Sequence, residues 1–188
     1  MILKIVDEIE KSMENECYMA ALALALTLPD ICGKAEYHDV NNKMIGKRYR
    51  NWFDEFLGKY EKPLNKESDD MPYTSGEIVY SLRNCLLHQG TPNVESEKIR
   101  EEQCRVDRFV LTIDDAMDGG GSQVSYGKDM KIVHRELEVN IHNLCKKLCA
   151  VSKAYYLENK EEFNFFEYTL VDKRKEDWID DYLAASDV

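Results

Sequence analysis

Residues 17–29 read CYMAALALALTLP, thirteen consecutive positions without a charge. A helix that is apolar all the way round cannot lie on a surface, so it must run through a core or a membrane. Thirteen residues are too few to cross a bilayer, which takes roughly 20. The stretch is therefore expected to be a helix buried inside a folded protein. Val6, Ile9, Met13, Cys17 and Ala20 carry the same helical spacing back toward the N-terminus. One long helix is predicted over residues 3–28. Pro29 is expected to stop it, because the residue before a proline avoids helical angles, leaving PDICG as the turn.

Helical spacing governs most of the remaining chain. A second helix is predicted over residues 47–60, with Tyr49, Trp52, Phe53 and Phe56 as its aromatic face. A polar, proline-bearing loop, EKPLNKESDDMPYTSG, leads to a third helix over residues 75–88, with Thr74 or Ser75 as its N-cap. TPNVESEKIREEQ reads as irregular. The period then changes from helical to alternating. CRVDRFVLTID, SQVSYG and MKIV are read as short strands, with DGGGS and YGKD as turn signals. After His134 a stripe of Leu137, Ile141, Leu144, Leu148, Val151 and Tyr155 predicts a long helix to about residue 157. The aromatic tail suggests a short strand or coil, then a short helix with Trp178, Ile179 and Tyr182. The expected fold is mainly α: a single helical bundle over residues 1–188, with a small antiparallel β-hairpin or sheet inserted at about 104–134.

Charge limits the partners. Thirty-six acids against twenty-five bases give a net charge of −11. A protein that coats a phosphate backbone is usually basic, and anionic membranes attract basic segments. This balance disfavours both, but leaves room for a small site with local positive charge. MILKIVDEIEKS turns acidic too soon for a secretory leader. The six cysteines (Cys17, Cys32, Cys85, Cys104, Cys145, Cys149) form no CxxC pair, so they read as free thiols in a reducing cytoplasm. No membrane contact and no cofactor are expected.

The third helix carries the chemistry. On a wheel, Ile78, Val79, Leu82, Cys85 and Leu86 make a core face. The opposite face holds Tyr80, Arg83, Asn84, Leu87 and His88, where a solvated face would carry Lys, Glu and Gln. Something other than bulk water should cover it: another part of the chain, or a second copy meeting it across a two-fold axis at Tyr80 and Leu87. Histidine can give or take a proton near neutrality. Arginine offers a fork matched to phosphate, and asparagine can orient either partner. Such groups suit metal-free cleavage of RNA, with His88 as acid/base and Arg83 stabilising charge on the phosphate oxygens. The plainer reading is that Arg83 and His88 complement the dipole at a helix C-terminus.

Arginine, asparagine, three residues and histidine at the end of a helix resemble the signature of the HEPN superfamily, which includes toxin ribonucleases and RNases of defence systems. Arg83, Asn84 and His88 match it. LPDICG, KRYRNWFDEF and YSLRNCLLHQG together are also similar to a set of bacterial proteins. The resemblance implies a homodimer in which the motif lies at the interface and the composite site cuts RNA without metal. A cognate antitoxin or regulatory protein is an implied further partner. The β insertion departs from the minimal helical form of that family. The alternative is a non-catalytic dimerising interaction module.

Two other groupings carry residue types suited to binding. KMIGKRYRNW is a basic island of Lys43, Lys47, Arg48 and Arg50 beside Tyr49 and Trp52. Lys47, Arg48 and Arg50 could guide RNA, although a solvated basic face over two core aromatics is the simpler account. His134, Glu138, His142, Cys145 and Cys149 fall on one stripe of the predicted last helix. A straight helix presents them in a row rather than around a point, so they read as a half-buried flank and not as a metal site.

Overall fold

The computed structural model describes residues 1–38, 44–62, 72–94, 105–114, 121–166, 168 and 171–174. Helix α1 is Ile2–Glu14 and buries Ile2, Val6 and Ile9. It stops at Asn15, and Glu16 takes a left-handed turn with φ 58°. α2 (Tyr18–Ala25) and α3 (Leu28–Glu36) come next. The predicted single helix over 3–28 is thus broken at residues 15–17. Pro29 begins α3 instead of ending α2, and PDICG is helical rather than a turn. A proline in the first helical turn loses no intrahelical hydrogen bond, because the first N–H groups have no partner there.

Tyr18–Glu36 forms a 19-residue helical run with mean hydropathy 1.2, long and apolar enough by composition to cross a bilayer. The thirteen-residue stretch is shorter because it ends at the first charge, Asp30, inside α3. Half of the run is buried within the protein, and Ala21, Leu22, Ala25, Leu26, Leu28 and Cys32 have no exposed surface.

α4 (Ile45–Phe56) buries Tyr49, Trp52 and Phe53, as its aromatic spacing required, and a short 3₁₀ turn, Gly58–Tyr60, succeeds it. α5 is Gly76–Asn84, capped by Ser75, whose hydroxyl accepts from the Ile78 N–H at 3.3 Å. Successive helices α3, α4 and α5 pack as neighbours, and the long α6 (Ile141–Glu158) lies against α1, α2 and α3. Small residues set the spacing. A Cβ on Gly33 would lie 2.9 Å from the Arg48 carbonyl oxygen, and one on Gly46 would lie 2.8 Å from the Tyr80 ring.

Three strands complete the fold: β1 (Arg108–Thr112), β2 (Ser122–Tyr126) and β3 (Ile132–Asn140), in the order β1-β3-β2. β2 and β3 form the expected antiparallel hairpin around YGKD, but β1 pairs with β3 in parallel, Phe109 opposite Leu137 and Leu111 opposite Val139. The sheet is therefore mixed and not antiparallel. β1 and β2 are not neighbours, so DGGGS does not join a paired hairpin; residues 115–120 lie outside the described ones. The β segment also runs past 134 to Asn140. That moves the start of the last helix to Ile141, where Asn140 Oδ1 accepts from the Asn143 N–H at 2.9 Å. Phe163 sits in a 3₁₀ turn after α6, with its ring 5.9 Å from that of Tyr155. The predicted helix around Trp178 lies outside the described residues, as does most of TPNVESEKIREEQ.

Candidate active site

The core face of α5 is as expected: Ile78, Val79, Leu82 and Cys85 are buried. The second face is covered in part by the chain itself. Tyr80 packs its ring 5.2 Å from that of Tyr49 on α4, and the Arg50 guanidinium lies 5.2 Å from the Tyr80 ring centre. Leu87, 37% exposed, and His88 remain at the open edge. Of the two residues expected at a dimer interface, Tyr80 is largely occupied within its own chain and Leu87 is available.

On an ideal α-helix Arg83 and His88, five apart, would point roughly 140° away from each other. They do not. After Asn84 the helix widens into a π-turn, Cys85–Gln89, closed by the Gly90 N–H donating to the Cys85 carbonyl. Bonding at i→i+5 stacks residues five apart, and such turns recur at functional sites. Arg83 Nη1 thereby reaches His88 Nε2 at 3.1 Å and Asn84 Oδ1 at 3.2 Å. Gly90, at φ 63°, ends the helix in the left-handed conformation that glycine tolerates. The motif's three residues are thus brought together within one chain.

A guanidinium only donates, so this contact assigns the His88 Nε2 lone pair as acceptor and places the ring proton on Nδ1. In this contact Nε2 is turned toward a cation that Asp30 holds in place.

Asp30 completes the group, and sequence reasoning missed it. It stands in the first turn of α3 and binds Arg83 Nη2 through Oδ2 at 2.7 Å. Both side chains are about four-fifths buried. Burial lifts the Asp30 carboxyl above its ordinary pKa, while Arg83, Arg48 and His88 pull it back. The guanidinium also lies 6.0 Å from the Tyr49 ring and 5.9 Å from the Tyr80 ring, within reach of both π faces. Burial pushes the Tyr49 phenol well above its usual range, and the Asp30 charge adds to this. Tyr49, fully buried, forms a wall of the site. Pro29 was the available signal, as a helix-starting proline that would have put Asp30 on a helix; nothing local pairs Asp30 with Arg83.

The basic island divides. Arg48 is buried beneath the site, and Arg50 pairs with Glu77 at 3.0 Å. Lys47 is exposed, and Lys43 lies outside the described residues. Of the simpler account, the two core aromatics hold, since Tyr49 and Trp52 are fully buried, whereas among the described basic residues only Lys47 lies on a solvated face.

The candidate metal stripe is split, since His134 and Glu138 stand on β3 while His142, Cys145 and Cys149 are on α6. Among the described residues no three such side chains gather around a point. Burial pushes the Cys145 and Cys149 thiols up to about 12, which makes them inert. A hollow of about 290 Å³ beside β3 and α6, and a groove of about 480 Å³ between α1 and α6, are lined by neither Arg83 nor His88.

Compared with family models, with curated proteins and with solved structures, the chain matches none.

Proposed function

We propose that the chain is a HEPN-like, metal-independent endoribonuclease of toxin or defence type, working as a cytoplasmic homodimer. The observation that carries this is the 3.1 Å contact between Arg83 and His88 at the open end of α5, made by a π-turn that a purely structural helix end does not need. In the resting chain Arg83 Nη1 holds the His88 Nε2 lone pair. A phosphate that takes this N–H for itself frees Nε2. The freed nitrogen then accepts the proton of an attacking 2′-hydroxyl as its oxygen bonds to phosphorus; the bond from phosphorus to the 5′-oxygen breaks, that oxygen leaves as a hydroxyl with a proton from solvent, and the guanidinium balances the charge growing on the phosphate oxygens. Asn84 Oδ1 keeps the fork turned toward His88. Leu87 and the uncovered part of the face form the two-fold contact, and an antitoxin or regulatory protein would act by covering the same edge. A chain of charge −11 suits a short contact with one or two phosphates rather than a long tract.

The test is cleavage of diverse RNAs by the wild type and by His88→Ala with chelator present. Wild-type cleavage that falls by at least about a hundredfold in the variant is expected. Equal cleavage by both proteins, or none by the wild type, overturns the proposal. The non-catalytic dimerising module is the second reading, favoured by one fact: both terminal nitrogens of Arg83 are engaged by groups of its own chain.

A further inference from the structure

We infer that Asp30 is a positioning residue that fixes the rotation of the Arg83 guanidinium, and through it the tautomer of His88. This rests on reading Arg83 and His88 as the reacting pair, but its geometry stands by itself. Arg83 leaves α5 on a long, flexible stem, and free rotation about its last bonds would exchange Nη1 and Nη2. Asp30 Oδ2 holds Nη2 at 2.7 Å. That leaves Nη1, and not its twin, facing Asn84 and His88. The Tyr49 and Tyr80 rings limit where the planar group can lie. The anchor is rigid because α3 is clamped onto α4 where Gly33 meets the Arg48 carbonyl. When a phosphate takes Nη1, the Asp30 bond at the other end keeps the fork from swinging out with it. Asp30 touches neither the reacting hydroxyl nor the phosphorus, so its effect passes entirely through Arg83.

Side-chain NMR tests this without any assay of activity. In the wild type the Arg83 Nη resonances should be resolved, as expected for a guanidinium that rotates slowly, and the His88 ring nitrogens should show the proton on Nδ1. Asp30→Asn, which keeps shape and removes charge, should average the Nη signals and mix the His88 tautomers. Asp30→Glu, which keeps the charge, should restore slow rotation at least in part. Averaged Nη signals in the wild type overturn the inference even if the variants fail to fold, as do unchanged Arg83 and His88 signals in a folded Asp30→Asn. In RNA cleavage, Asp30→Asn should lower kcat by about tenfold with KM within about twofold; a change in KM alone counts against it. A wild type that cleaves no RNA removes the functional reading, while the NMR result still decides the role of Asp30.

Discussion

Arg83 divides its guanidinium between two neighbours. One terminal nitrogen is spent on a largely buried carboxylate, and the other faces a histidine at the surface. Removing the guanidinium leaves Asp30 buried without its strongest opposing charge, so its carboxyl, already lifted by burial, rises further. A carboxyl raised in the folded state contributes stability that is present below the ordinary pKa of about 3.9 and lost as pH rises through the folded value. Arg83→Met should therefore be close to wild type in stability at about pH 4 and lose about 3 kcal/mol near neutral pH. Urea denaturation at the two pH values checks this, and a penalty independent of pH would contradict it. At this scale the sequence carried the residue types at the end of α5 but not their partner. Arg83, Asn84 and His88 are local and can be read from spacing. Asp30 lies far away in the chain, and only the packing of α3 near α5 reveals it. The π-turn was equally hidden: a wheel at 100° per residue puts Arg83 and His88 on one face but at its two margins, roughly 140° apart.

Elements were legible where one period ruled. The aromatic face of α4 and the core face of α5 follow from spacing alone, and both are buried except for Phe56 and Leu86, which are only partly covered. The junction of β3 and α6 was misplaced for a definite reason. Leu137 and Val139 alternate as a strand requires, yet Leu137, Ile141 and Leu144 also fit a helical stripe. Leu137 belongs to both patterns, so periodicity could not mark the boundary; Asn140, a favoured N-cap, could have. Pro29 was ambiguous in the same way, since proline both ends and begins helices. Gly33 tests whether the α3–α4 contact matters. Gly33→Ala would force its methyl to 2.9 Å from the Arg48 carbonyl oxygen and should destabilise the protein by about 1–3 kcal/mol, lowering Tm by several degrees. An unchanged Tm in thermal denaturation would show that the two helices can part without cost.

For the whole molecule, the shift from helical to alternating period announced a mainly helical protein with a small sheet, and that is the architecture found. The parallel pairing of β1 with β3 was not legible, because strand order depends on contacts between segments and not on the pattern within each one. The fold draws α3, α4 and α5 together so that a cation, a carboxylate and an imidazole meet at one edge of an acidic protein. If that edge performs metal-free cleavage through a 2′-hydroxyl, the products carry a record of it. The most direct test is end-group analysis of RNA cut by the wild type with chelator present. The account predicts 2′,3′-cyclic phosphate and 5′-hydroxyl ends, absent when His88→Ala is used. Ends bearing 3′-hydroxyl and 5′-phosphate, or cleavage that stops when metal is chelated, would contradict it.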